Sequence, residues 1–448
     1  MIENERSWIR RLRRPALACT ALLVTAAPAT GQEDRVPQGV RLGFIYQTGF
    51  RPKLAVRPIA GGAAAADVAA TIHEILVRDL DYSDRFEMAT TPASLAEGAL
   101  NYAAWNDLGI VYLVTGEVEP AADGLSLRLT LHDVVYSRVR ELGAFRLPPA
   151  RDDGFRMAVH AASDQVVMWA TGQPGMAASR IVFRRPGPDG TDLMIVDSDG
   201  ENLERVGSAP MLFSPQWSPD GRSVVYTASD GARWRIEVLR PGGGTSTLLE
   251  SNELLMTPAF SADGRRVAYA QPQPGGMRIF ATSVASDGGA QRITSGPRDD
   301  MSPTFSPDGQ RLAFNSSRLG APHIYVKSAD GGSDATLLSP FVYGEPGYYT
   351  SPDWAPDGSL VTFHGRSRGG FQIMVADAAR PGATVQQITA DGVSEDPSWA
   401  PDGRHIVFSG YRSGEGSGLY VVDAVTGRLR PLVRRLAELP DWGPLLTN

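Results

Sequence analysis

Trp217-Ser-Pro-Asp-Gly221, Phe260-Ser-Ala-Asp-Gly264, Phe305-Ser-Pro-Asp-Gly309, Trp354-Ala-Pro-Asp-Gly358 and Trp399-Ala-Pro-Asp-Gly403 are five copies of one unit. The aromatics are spaced by 43, 45, 49 and 45 residues. Each has a proline two residues before it, and each unit is followed by a short apolar run such as Val224-Val-Tyr226 or Ile406-Val-Phe408. Proline has the φ that the second position of a type I turn requires. Aspartate can accept from nearby backbone N–H groups, and glycine takes the left-handed position that returns the chain to a strand. Four strand-like runs per period in the forties predict a β-propeller.

A sixth aromatic, Trp442 in Pro440-Asp-Trp-Gly-Pro444, follows 43 residues after Trp399. Little chain remains beyond it, so this copy supplies one strand. Three strand patterns lie ahead of the first unit, at Ile181–Arg184, Leu193–Val196 and Leu203–Val206, with Pro188-Asp-Gly190 as a turn. The C-terminal strand is therefore expected to complete the N-terminal sheet, which gives six blades and leaves no free sheet edge.

Residues 30–175 read differently. Val40–Tyr46 and Leu54–Ile59 look like strands. Helical spacing runs through Ala64–Leu80, more weakly through Ser94–Leu108, and again through Asp153–Thr171. Ile110–Val118 and Leu125–Val135 flank Asp123-Gly124 as a hairpin. The expected fold is an α/β N-terminal domain, with a boundary at Gly172-Gln-Pro-Gly175, followed by an all-β propeller over 176–448.

Residues 1–29 have the build of a signal peptide. Five arginines precede the apolar stretch Ala16–Ala27, and Ala27-Pro28-Ala29 is a cleavage motif. Cleavage near Ala29 would make the mature chain an exported protein. The stretch is too short to span a bilayer, so no direct membrane insertion is expected. The whole chain has a net charge of −7, and removal of 1–29 leaves −10, which disfavours nucleic acid and anionic membrane surfaces. The one cysteine, Cys19, leaves with the signal, so neither disulfides nor Cys-ligated metal are expected. The 48 glycines and 33 prolines fit a turn-rich chain.

Little in the sequence suggests catalysis. Gly365-Arg-Ser-Arg-Gly369 has the G-x-S-x-G spacing of a nucleophile elbow, but a strand pattern follows it where a helix is needed. It is read as a hairpin. The six histidines, His73, His132, His160, His323, His364 and His405, form no ligand-spaced pair, and no metal or cofactor is expected. Asp299-Asp300 and Glu395-Asp396 precede the third and fifth aromatics and are expected on one face of the ring. They read as solvated loop-tip carboxylates or as a channel cation site. The long third interval contains Phe341-Val-Tyr-Gly-Glu-Pro-Gly-Tyr-Tyr-Thr350. Its aromatics either form a binding surface or cap the adjoining blades.

An exported α/β domain followed by these blades resembles the TolB-like propeller family. The resemblance covers nearly the whole mature chain. It rests on the domain order and on Val40-Arg-Leu42, Leu108-Gly-Ile110, Val114-Thr-Gly-Glu-Val118, His160-Ala-Ala-Ser-Asp164 and Pro440-Asp-Trp-Gly-Pro444. The chain departs from the family pattern at Gly43-Phe-Ile-Tyr46 and at Leu254-Leu-Met256. The resemblance implies a monomeric, non-enzymatic periplasmic scaffold of the Tol–Pal system. Its partners would be a Pal-like peptidoglycan-associated lipoprotein at one mouth of the propeller and a TolA-like inner-membrane protein at the N-terminal segment. The mouth residues singled out are Leu254, Leu255, Met256, Thr257, Asp299, Asp300, Met301, Tyr343, Tyr348, Tyr349, Glu395 and Asp396; the N-terminal ones are Val40, Arg41 and Leu42. An exported propeller-type enzyme and a glycan or small-molecule binder are the alternatives.

Overall fold

The computed structural model describes residues 51–285, 289–332, 334–341, 347–367, 370–381 and 385–446. From Arg51 onward they belong to one compact unit. The expected strand at Val40–Tyr46 lies outside the described residues.

The α/β region opens with β1 (Lys53–Val56), the short β2 (Ala60–Gly61) and α1 (Ala66–Tyr82). After β3 (Glu87–Ala89) come two short helices, α2 (Ala93–Ala96) and α3 (Tyr102–Asp107). A three-stranded meander follows, made of β4 (Tyr112–Ala121), β5 (Gly124–Asp133) and β6 (Arg138–Leu147), and then α4 (Phe155–Thr171). The sheet order is β3-β1-β4-β5-β6, with β2 also pairing β4. β1 runs parallel to β3 and β4.

Alternation along β1 sends Leu54 and Val56 to one face and Ala55 to the other. The first face is covered by α1 and α4 through Ile72, Ile75, Leu76, Val159 and Val166. The second is covered at one end by Trp105 of α3, which packs on Ala55, Leu113 and Val134. The single helix expected over 94–108 is two helices, because the chain turns between them at Gly98, whose φ is 80°.

The rest of the chain forms six four-stranded sheets. Blade one joins β7 (Arg180–Gly187), β8 (Gly190–Asp197) and β9 (Glu204–Ala209) to the C-terminal strand Glu438–Trp442. Trp442 lies opposite Ile181, so the ring closes as the sequence predicts. Blades two to six begin at Met211, Met256, Asp300, Tyr349 and Val393. The repeated unit is the turn between the first and second strands. In its first copy Gly221 N–H donates to Ser218 O at 2.9 Å, Asp220 Oδ1 accepts from Arg222 N–H at 3.0 Å, and Gly221 has φ 67°. The aromatics pack between blades: Trp217 contacts the cluster holding Val182 and Leu193 of blade one, and Trp354 that holding Ala313 and Ile324 of blade four.

The α/β region meets blades one and six along a polar seam. Arg404 donates to the Asp84 carbonyl at 2.8 Å and to both carboxylate oxygens of Asp423, at 2.9 and 2.6 Å. Arg428 reaches Asp81 at 2.9 Å and Asp84 at 2.8 Å. Arg78 and Arg156 both reach Asp199, in the turn between β8 and β9. The buried guanidinium of Arg430 stacks on the Tyr82 ring, 4.1 Å from its centroid.

Candidate interaction site at the propeller channel

The first strand of every blade lines the axis, and each contains a Pro-x-aromatic sequence. The residues just before these prolines are Ser214, Thr257, Ser302, Ser351, Asp396 and Leu439. All six have left-handed backbones, with φ between 47° and 53°. At each of them the pairing register slips, for example between Phe213 and Gln216 and between Glu395 and Ser398. Six β-bulges therefore form a ring at the channel. A non-glycine residue pays roughly 1–2 kcal/mol for this conformation, so the surrounding sheet must impose it.

The residue between proline and aromatic ties neighbouring blades together. Trp217 N–H donates to Asp441 Oδ2 at 2.7 Å, Phe260 N–H to Gln216 Oε1 at 2.8 Å, and Trp399 N–H to Asp353 Oδ2 at 2.8 Å. Trp442 N–H donates to Ser398 Oγ at 3.0 Å. These groups and the left-handed ring line a cavity of ≈ 300 Å³. Burial pushes the Asp353 carboxyl up to about 6, against the hydrogen bonds it accepts. Burial, reinforced by Asp353, raises Asp441 well above the usual carboxylate range.

This makes the stability of the channel fall as the pH rises. Asp353 has its folded pKa above its unfolded value, so its contribution to stability is full below about pH 4 and is lost as the pH rises through about 6. Asp353→Asn keeps an acceptor for Trp399 N–H and cannot ionise. Urea unfolding between pH 4 and 7.5 is expected to show a shallower fall in stability than in the wild type. The difference is on the order of 3 kcal/mol at the upper end. Identical pH slopes for the two proteins would contradict this assignment.

Met256, Thr257 and Asp396 line the cavity. Leu254 is half-buried beside it in sequence, and Leu255 is buried between blades with Phe260 and Val238. Met301 is half-buried. Tyr348 packs on Phe371, and the Arg366 guanidinium lies 5.4 Å from the Tyr348 ring and 5.5 Å from that of Phe371. Tyr349 contacts His323 and Phe363, which caps the adjoining blade. Tyr343, Val40, Arg41 and Leu42 lie outside the described residues.

The two carboxylate pairs are not equivalent. The register slips align Met301 with Glu395, so Asp300 matches Ser394, while Asp396 holds the left-handed channel position. Asp299 is exposed and accepts from Met277 N–H at 2.8 Å, whereas the loop-tip reading fails for Asp300. That residue is 1% exposed and is paired with Arg318 at 3.2 Å. Asp396 accepts from Ser351 Oγ at 2.8 Å, and its own N–H donates to His364 Nδ1 at 3.0 Å. That donor fixes His364 as the Nε2–H tautomer, which then donates to Thr350 Oγ1 at 2.7 Å; burial lowers its pKa. Ser367 ends a strand and is paired with Gly370, where the next strand begins, so a strand stands where a nucleophile elbow needs a helix.

Two other groups, Asp79–His160–Asp199 and Asp84–His405–Asp423, bring ligand-type atoms within 4.8 Å of one another. Both lie at the seam. Arginines already pair with Asp199, Asp84 and Asp423, so these are salt-bridge networks. The sequence reading missed Asp353 and Asp441. The signal was present, since a polar residue stands between proline and aromatic in five of the six copies.

Residues 168–446 match the family model described as the TolB beta propeller domain, and residues 48–139 match the TolB amino-terminal domain. The chain belongs to the TolB family. Among curated TolB relatives, the Tol-Pal system protein TolB of Methylococcus capsulatus is 30% identical over 194 residues, 41% of this chain and 44% of that one. The TolB of Anaeromyxobacter dehalogenans (strain 2CP-C) is 32% identical over 229 residues, 49% of this chain and 51% of that one. The chain thus spans about half the length of the curated relatives it matches. The crystal structure of TolB from Acinetobacter baumannii shares the fold, with a TM-score of 0.76 at 24% identity, covering 88% of this chain and 97% of that one. Among the described residues, no helix is long and apolar enough to cross a membrane.

Proposed function

We propose that the chain is a non-catalytic periplasmic scaffold of a Tol–Pal-type envelope system. Its propeller mouth takes a Pal-like peptidoglycan-associated lipoprotein, and its N-terminal segment around Val40–Leu42 takes a TolA-like inner-membrane protein. In this role it supports outer-membrane integrity and envelope constriction at division, and it works as a monomer. The observation that carries the reading is the family match across the propeller, 168–446. The channel mouth adds a surface suited to a protein partner. Half-buried Met256, Thr257 and Asp396 line the cavity, and half-buried Tyr348 stands just ahead of the first strand of blade five. Rigid aromatic side chains of this kind lose little entropy on binding.

Calorimetric titration of the mature protein with a Pal-like lipoprotein tests the reading. Tyr348→Ala is expected to weaken binding by about 2 kcal/mol, roughly thirtyfold in Kd, with stability little changed. An unchanged Kd removes the 341–350 segment from the contact. No binding by the wild type to any Pal-like lipoprotein removes the scaffold reading itself.

A further inference from the structure

We propose that the seam between the α/β region and the propeller is a pH-dependent clamp, closed by the imidazolium forms of His405 and His160 and loosened as the pH rises. It goes beyond the scaffold reading and does not depend on which partners bind.

His405 begins the second strand of blade six and is fully buried. Its Nδ1 lies 2.7 Å from Asp402 Oδ2, in the preceding turn. Its Nε2 lies 3.2 Å from Asp84 Oδ2, just beyond α1 and on the other side of the seam. An ionised carboxylate only accepts. Both ring nitrogens must therefore donate, and only the doubly protonated ring does so. Neutral His405 would turn a lone pair towards one of the two carboxylates. The remaining charges around it are Asp423, which is held by Arg404; Arg428 and Arg51, which also reach Asp84; and Arg85, which acts on Asp402.

His160 repeats the arrangement on α4. It is fully buried, with Nδ1 2.8 Å from Asp79 Oδ2 of α1. Its Nε2 has no hydrogen-bond partner among the described residues and lies 4.0 Å from Asp199 Oδ2, on the propeller side. Asp197 and Asp164 also act on the ring, while Arg78 and Arg156 pair with Asp199. Each histidine thus sits between a carboxylate of its own side and one from across the seam.

Burial lowers both imidazole pKa values, but the facing carboxylates more than reverse this, and both stand above the ordinary 6.5. A raised folded pKa gives stabilisation that is complete below pH 6.5 and lost as the pH climbs through the folded value. Asp402 and Asp423 are shifted down, so strong acid is needed to remove their half of the contact. The clamp is therefore tightest under mildly acidic conditions and loosens on the alkaline side.

Two measurements on the mature protein test this. Imidazole NMR titration should give His405 and His160 pKa values above 6.5; a value at or below 6.5 for both overturns the proposal. Amide hydrogen exchange at residues 79–86 and 402–406, corrected for intrinsic pH dependence, should lose at least tenfold protection between pH 6 and 9 relative to the propeller strands. In the His160→Gln, His405→Gln double variant that loss should disappear. Seam protection that does not change with pH, or that changes equally in wild type and variant, overturns the clamp. If the variant does not fold, the wild-type titration and exchange decide alone.

Discussion

Trp442→Ala is expected to cost the protein about 3–5 kcal/mol, and removal of residues 438–448 to abolish cooperative folding of the propeller. The Trp442 ring is 6% exposed and packs with Ile181, Val196, Val407 and Leu419, so it joins blade one to blade six. Its Nε1–H donates to Ser179 Oγ at 2.8 Å, and its backbone N–H to Ser398 Oγ at 3.0 Å. The substitution loses the buried ring area and both the indole bond and the wedge between blades. Deletion goes further. It exposes the edge of β7, uncovers the blade-six face beneath Trp442, and strips Trp217 N–H of its Asp441 acceptor. Urea unfolding followed by far-UV circular dichroism measures both effects. A shortened chain that unfolds cooperatively at the wild-type midpoint would show that the closure strand is dispensable.

Arg404→Met is expected to cost about 3–5 kcal/mol, because it breaks a buried ion pair from one side. Asp423 is wholly buried and would lose both guanidinium bonds, keeping, among the described residues, Thr426 Oγ1 at 2.6 Å and Val425 N–H at 2.9 Å. The Asp84 carbonyl across the seam would lose a donor as well. In scanning calorimetry one transition should become two, with the α/β region melting first. Adding Asp423→Asn should recover part of the loss, since a neutral amide tolerates burial without a cation. If Arg404→Met melts as a single transition at the wild-type temperature, the seam is not held by this pair.

The propeller was legible because its signal is repeated. One Asp-Gly turn is weak evidence, but five at nearly constant spacing fix the blades, and the stray Trp442 fixes the closure. Less periodic features were harder to read. Strand β6 is an exposed sheet edge, and its Arg138-Val-Arg-Glu-Leu142 stretch lacks the apolar alternation that marks a strand. The offset between the two carboxylate pairs could be counted, since Asp300 stands five residues before Phe305 and Asp396 three before Trp399, but only the sheet register shows that the third position is the bulge. Asp84 is 321 residues from His405, and Asp79 is 81 from His160. No local motif could have shown that those histidines face carboxylates so distant in the chain. The channel acids are the intermediate case, since their positions recur but their burial appears only once the ring is closed.

The same closure has a consequence for timing. Arg184 meets Glu438 across 254 residues of chain, so blade one is incomplete until the final strand is available. Before then, blades two to six can form only an open arc, and β7 presents an unpaired row of N–H and C=O groups to any strand nearby. Pairing at such a distance makes the last step of folding slow compared with forming each hairpin. The interval between the emergence of Arg180 and that of Trp442 is then the period in which the chain is most exposed to pairing with another copy of itself, and in which a chaperone holding the edge of β7 would do the most good.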